Sequence, residues 1–131
     1  ASAVFTVNDC LAASFLGAAY GHIFCPWLKF RGGKGIAVSV GCLFVVYGPI
    51  PAIIEVLGFF IVAATTKYIS AGSLTAAIMC PFLGFFIFWG DWLAAILCAV
   101  VGITVIWAHR SNIQRLRNGT ERRIGHSSPE Q

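Results

Sequence analysis

Five apolar runs, at about 1–24, 36–48, 50–66, 73–88 and 91–107, take up most of this 131-residue chain. Between them lie short polar breaks, and after Trp107 the chain turns polar and stays so. That pattern constrains the fold more than any single motif. Only 11% of the residues are charged and the mean hydropathy is +0.82, whereas a soluble domain carries about a quarter charged residues. So few charges cannot cover a water-soluble globule, and the expected class is an all-α, polytopic integral membrane helix bundle. No signal-peptide pattern is present, because Asp9 interrupts the first run and no basic region precedes it.

Charge sidedness sets the expected topology. With five spans, the loops 25–35 and 67–72 and the tail 108–131 share one side of the membrane. Those stretches hold all nine basic residues: Lys29, Arg31, Lys34, Lys67, Arg110, Arg115, Arg117, Arg122 and Arg123. Asp91 falls on the other side. This is a positive-inside pattern, which predicts a cytoplasmic basic side and an outward N-terminus. Segment 36–48 is short for a span, but removing it would put Lys67 opposite the basic turn. The expected organisation is therefore a bundle over 1–108 followed by a cytoplasmic motif and tail over 109–131. Aromatic residues follow the same logic, with Tyr47, Trp89 and Trp92 expected at the outer interface and Tyr20, Trp27, Tyr68 and Trp107 at the inner one.

Several groups need a reading of their own. The five cysteines, Cys10, Cys25, Cys42, Cys80 and Cys98, form no C-x-x-C pair and mostly lie in apolar runs. They read as small packing residues rather than as a metal site or disulfide framework. Glu55 reads as a snorkelling or partnered carboxylate, with a proton relay as the functional alternative. Pro81 is expected to kink the fourth helix, and "GPIP" at 48–51 to break one.

The polar residues gather on the basic side in three clusters: "GHIFCPWLKFRGGKG" (21–35), "TKYISAGS" (66–73) and "HRSNIQRLRNGTE" (109–121). In the first, Gly32, Gly33 and Gly35 surround Lys34 immediately before a predicted helix start near Ile36. Consecutive glycines can turn backbone N–H groups toward one point, and a helix N-terminus adds its positive dipole end. The chemistry this pattern suits is binding of a phosphate-like anion at the membrane surface. It is not a Walker A loop, since Gly35 rather than Ser or Thr follows Lys34. A plain positive-inside loop with flexible glycines fits the same residues. In the third cluster, His109 and Asn112 stand three residues apart at a helix exit, and His109 is a candidate hydrogen-bond donor or proton acceptor. His22 and His109 can each also be interfacial histidines with solvated rings. The arginines of the tail suit anionic lipid. Nucleic acid is excluded as a partner because no soluble fold presents them.

Taken together, these stretches resemble the bacterial membrane acyl-phosphate:glycerol-3-phosphate acyltransferases. "GHIFCPWLKFRGGKGIA" (21–37) is similar to that family's second motif and "HRSNIQRLRNGTE" to its third, with "TKYISAGS" like the loop between them. The family's first motif, a Ser-Gly-Asn stretch, and its two flanking helices have no counterpart here. The expectation is a piece of a seven-span protein without its N-terminal third, or a short paralogue.

The resemblance implies transfer of a fatty acyl group from acyl phosphate to glycerol 3-phosphate. The products would be 1-acyl-glycerol 3-phosphate (lysophosphatidate) and phosphate, in the first acylation step of phospholipid synthesis. It implies no metal and no other cofactor. It implies a bacterial inner-membrane location, with the active site facing the cytoplasm. By motif position, Gly32, Gly33, Lys34 and Gly35 would hold phosphate, His109 and Asn112 would contact phosphate or hydroxyl, and Ser73 and Ser70 would assist. His22, Arg110 and Glu121 would support them, Glu121 by orienting cations such as Arg110. The rivals are a catalytically incomplete membrane scaffold and a small anion-transporter subunit. A transporter would want polar positions running through its spans.

Overall fold

The computed structural model describes residues 4–25 and 34–125. Lys29, Arg31, Gly32, Gly33, Trp27 and the far tail lie outside the described residues. The rest forms six α-helices and, among the described residues, no strand: α1 (Val7–Ile23), α2 (Ile36–Val46), α3 (Pro49–Thr66), α4 (Ile69–Ile87), α5 (Trp92–Ala108) and α6 (Arg110–Arg117). The all-helical expectation holds. The five apolar helices pack in a closed order, each against its chain neighbour, with α5 returning onto α1.

The five runs are not five equal crossings. By length and composition α3 and α4, at 18 and 19 residues, can each span a bilayer, and α5 joined to α6 through a 53° bend makes a third candidate. The 11 residues of α2 rise only about 16 Å at 1.5 Å per residue, roughly half of a ~30 Å hydrocarbon core.

Helix boundaries follow local chemistry. Thr6 caps α1 in a reciprocal box with Asp9: the Asp9 N–H donates to Thr6 Oγ1 at 3.1 Å, and the Thr6 N–H donates to Asp9 Oδ2 at 2.8 Å. Thr6 Oγ1 and Asn8 Nδ2 also donate to Asp91 Oδ2, at 2.8 and 3.1 Å. The start of α1 is thereby tied to the α4–α5 turn. The "GPIP" stretch does not merely break a helix; it starts one. Gly48 takes φ +81° as the N-cap and Pro49 opens α3, a position where its missing N–H costs nothing.

The expected loop 67–72 is the clearest boundary correction, because α4 begins at Ile69. Ser70, Gly72 and Ser73 are buried in its first turns. Gly72 lies so close to α3 that a Cβ there would come within 2.6 Å of the Phe59 carbonyl oxygen. Small polar residues mark a close helix contact here, not a loop.

Small residues also set the α4–α5 contact. A Cβ on Gly102 would meet the Ala77 carbonyl oxygen at 2.7 Å and Pro81 Cδ at 2.8 Å. Pro81 cannot donate to that carbonyl, and α4 nonetheless stays helical through it. Cys80 and Cys98 are buried in this contact, as their packing role predicted, while Cys10 is exposed.

Two side chains differ from expectation. Tyr47 is no interface residue: it is 5% exposed, and its hydroxyl donates to the Cys80 carbonyl oxygen at 2.8 Å. Glu55 neither snorkels nor is fully partnered, being 3% exposed with Oε2 lacking a hydrogen-bond partner. Trp89 and Trp92 are exposed and meet edge-on, with ring centroids 5.5 Å apart.

Candidate functional site

One end of the bundle opens as a cleft of about 630 Å³. The antiparallel order brings to that end the last turn of α1, the first turns of α2 and α4, and the α5–α6 junction. The cleft is lined by His22, Lys34, Gly35, Ser70, Ser73, His109, Asn112, Glu121 and Arg122, over an apolar floor that includes Ile36 and Phe59. Eight of these were candidates from sequence, drawn from three clusters up to about ninety residues apart. Gly35 adopts φ +80° as the N-cap of α2, with no side-chain cap. The first N–H groups of α2 are therefore left for an outside acceptor. The same holds for α4, whose N-cap, Tyr68, makes no side-chain cap bond. Two helix N-termini and the Lys34 ammonium thus share one cleft, which is the chemistry of an anion site.

His109 is 2% exposed and sits where α5 ends. Its Nδ1 lies 2.8 Å from the Val105 carbonyl oxygen. A carbonyl can only accept, so Nδ1 carries the proton and the neutral ring presents Nε2 as an acceptor. Burial pushes the imidazole below its ordinary value; the nearby Lys34 charge acts in the same direction, while the Val105 bond and Glu121 oppose it. Lys34 is itself lowered, first by partial burial and then by the Arg115 charge, with Glu121 opposing.

Asn112 is held from beyond its own helix. Its Nδ2 donates to Glu121 Oε2 at 3.0 Å, and Arg115 Nε donates to the same oxygen at 3.3 Å. The turn that makes this possible is written in "RNGTE". Asn118 ends α6, and Gly119 follows at φ +71°. The Gly119 N–H donates to Leu116 O and the Thr120 N–H to Arg115 O, a paired closure that reverses the chain. Glu121 therefore returns to Asn112. The strap continues to Ile124, whose N–H donates to Lys67 O at 2.8 Å, and the Arg123 guanidinium lies 5.4 Å from the Tyr68 ring centroid. Ser70 Oγ and Asn112 Oδ1 are buried without partners in the cleft. Orphaned polar atoms of this kind suit a polar ligand.

Two expectations change. Arg110 is not in the cleft: its guanidinium stacks 4.0 Å from the Trp107 ring centroid and donates to the Trp107 carbonyl at 3.2 Å. Glu121 accordingly orients Asn112 and Arg115, not Arg110. Arg122, read only as part of a basic tail, lines the cleft instead. Its signal was its place next to Glu121 just after the reversing glycine. Gly32 and Gly33 lie outside the described residues.

An apolar helix bundle that opens one end as a cationic cleft has the architecture of an integral membrane protein. Residues 1–119 match the model of the family described as glycerol-3-phosphate acyltransferase, and the chain belongs to that family. It is 42% identical over 119 residues to a glycerol-3-phosphate acyltransferase of Bradyrhizobium diazoefficiens, covering 90% of this chain and 58% of the relative. It is 45% identical over 111 residues to one from Rhodopseudomonas palustris (strain BisB5), covering 84% and 55%. Among solved structures it is similar to PlsY, an integral membrane glycerol 3-phosphate acyltransferase, in its glycerol 3-phosphate form. That similarity has a TM-score of 0.78 at 31% identity, over 89% of this chain and 57% of that one. The chain thus spans rather more than half the length of the relatives it matches.

Proposed function

We propose that the protein containing this chain transfers a fatty acyl group from acyl phosphate to glycerol 3-phosphate, releasing lysophosphatidate and phosphate. The observation that carries this reading is the convergence of Lys34, two uncapped helix N-termini, His109 and Asn112 in one cleft at the end of an apolar bundle. Family membership and the glycerol 3-phosphate form of the similar structure support it.

The roles follow from the chemistry of each group. Lys34, the N–H groups after Gly35, and Gly32 and Gly33 hold phosphate. Ser70 and Ser73, at the start of α4, add hydroxyl donors. Asn112 Oδ1, free of any partner, accepts from a glycerol hydroxyl, while Glu121 keeps the amide turned that way. His22 and Arg122 line the rim and supply further donors. Nε2 of His109 accepts from the attacking hydroxyl. That oxygen bonds to the acyl carbon, the acyl carbon–oxygen bond to phosphate breaks, and the departing phosphate stays in a field already built for it. The hydroxyl proton has two sinks, Nε2 and the leaving phosphate, and a pH profile separates them. No resident metal or cofactor is needed.

The basic end of the bundle faces the cytoplasm of a bacterial inner membrane in this reading, because the described Lys and Arg residues sit at the cleft end. Membrane lipids surround the bundle. The test is acyl transfer by the complete gene product in detergent or lipid, given acyl phosphate and glycerol 3-phosphate. Lysophosphatidate and phosphate in equal amounts are expected; a folded protein that makes neither would overturn the reading.

A further inference from the structure

The cleft is not the only basic recess at this end of the bundle. A second groove, of about 550 Å³, runs along the far side of α6, lined by Arg110, Ile113, Gln114, Arg117 and Asn118. It shares no lining residue with the cleft. The helix period makes the division: Asn112 and Arg115 turn toward Glu121, whereas Arg110, Gln114 and Arg117 stand at i, i+4 and i+7 on another face. Among the described residues the one ion pair joins Arg115 to Glu121, so the groove holds two guanidinium groups and no carboxylate.

The lipid-facing side of α5 sets the depth of this groove. Ile96, Ile103 and Trp107 are each at least half exposed, and their spacing of seven and four residues keeps them on one stripe. Arg110 continues that stripe past the 53° bend into α6, with its guanidinium 4.0 Å from the Trp107 ring centroid. One N–H is spent on the Trp107 carbonyl, which holds the fork in place and leaves its other donors unspent. Beside it Phe24 stands between Tyr20 and Trp107, at centroid distances of 5.3 and 5.9 Å. Tyrosine and tryptophan rings collect at headgroup depth, so the groove opens where hydrocarbon gives way to headgroups.

We infer that the α6 groove is a seat for one anionic phospholipid, separate from the cleft. Arg110 and Arg117 flank the lipid's phosphodiester. The Gln114 and Asn118 amides, donors and acceptors at once, take hydroxyls of its headgroup, and its acyl chains lie along Ile103 and Trp107. A zwitterionic lipid fits less well, because its headgroup cation meets two guanidinium groups. The bound lipid holds α6 at the membrane surface. This inference does not depend on the reaction the cleft performs.

The experiment is native mass spectrometry of the complete gene product in detergent, titrated with phosphatidylglycerol or with phosphatidylcholine of the same acyl chains. One phosphatidylglycerol per chain should bind about tenfold or more tightly than phosphatidylcholine, the scale of a charge-assisted contact. Arg110→Gln and Arg117→Gln should each remove most of that preference. Lys67→Gln, an equal loss of charge at the exposed α3–α4 corner, should leave it within about twofold. Thermal melts verify that all three variants are folded. Equal affinity of the unaltered protein for the two lipids would overturn the inference, and that outcome needs no variant. So would equal losses at Lys67 and at the two arginines, the mark of a diffuse basic surface. Displacement of the lipid by equimolar inorganic phosphate would overturn it too, by showing a site for free phosphate.

Discussion

The His109 ring donates through Nδ1 to the Val105 carbonyl oxygen at 2.8 Å, one turn back along α5. This bond fixes the tautomer and leaves Nε2 facing the cleft as an acceptor. Since burial and Lys34 lower the imidazole's affinity for protons, the ring is neutral at pH 7 and protonates only below the ordinary histidine value of about 6.5. If Nε2 is the proton sink, kcat/KM should fall on acidification with a midpoint below that value. Lys34→Ala removes a repelling charge and should move the midpoint up, whereas Glu121→Gln removes an attracting one and should move it down. Titration of the ring by NMR in micelles checks both signs without interference from the substrates' own phosphates. Opposite shifts would show that the field at His109 is not the one described. The same depression means that His109 favours the fold fully above the unfolded value. That contribution is lost as pH falls from the unfolded value through the folded one, because between the two only the unfolded chain gains the proton.

Lys34→Ala should lose a charge-assisted contact of about 1.5–3 kcal/mol. At about 1.4 kcal/mol per tenfold this is a 10- to 150-fold loss, larger if the charge acts mainly on the departing phosphate. Inhibition by inorganic phosphate should weaken in parallel. An unchanged phosphate inhibition constant would return Lys34 to a mere marker of membrane sidedness.

The reversal at Gly119 makes a separate prediction. An L-residue held at φ +71° pays about 1–2 kcal/mol, so Gly119→Ala should loosen the strap that carries Glu121 to Asn112. The expected result is a raised KM for glycerol 3-phosphate with little change in thermal stability of the membrane bundle. Gly119→Asn, which tolerates this conformation better, should fall between the two. If Gly119→Ala binds glycerol 3-phosphate normally, Glu121 does not reach Asn112 through this turn.

Packing between α3 and α4 gives a contrast within one interface. A Cβ on Gly72 would lie 2.6 Å from a backbone oxygen, Phe59 O, while one on Gly58 would meet only the flexible Met79 Sδ at 2.8 Å. Gly72→Ala should therefore destabilise by about 1–3 kcal/mol. Gly58→Ala should be near neutral, since alanine is the better helix former. Thermal melts in one detergent decide this, and equal melting temperatures would show that α4 can shift away from α3 at little cost.

The sequence was most informative where chemistry is periodic or rare. Five apolar runs became five helices, and residues of the Gly-Gly-Lys-Gly and His-x-x-Asn stretches met in one cleft. It was least informative where one residue type serves two ends. Serine and glycine at 70–73 looked like a loop because polarity and small size mark both turns and tight helix contacts. Tyr47 looked interfacial because nothing local reveals the Cys80 carbonyl that receives its hydroxyl. Arg110 and Arg122 were interchangeable as charges. Only the bend after α5 and the reversal at Gly119 turn one toward Trp107 and the other into the cleft.

That last difference gives the most direct test of the central claim, that the cleft, not the basic surface, performs acyl transfer. His109 and Arg110 are adjacent in sequence, but one lines the cleft and the other packs on Trp107 outside it. The measurement is kcat/KM for acyl transfer to glycerol 3-phosphate by His109→Ala and Arg110→Ala forms of the complete gene product, each verified as folded. His109→Ala should fall by about a hundredfold or more, the usual scale for a positioned proton acceptor, and Arg110→Ala should stay within about threefold, as a solvent-exposed cation does. Equal losses at the two positions, or a greater loss at Arg110, would contradict the account.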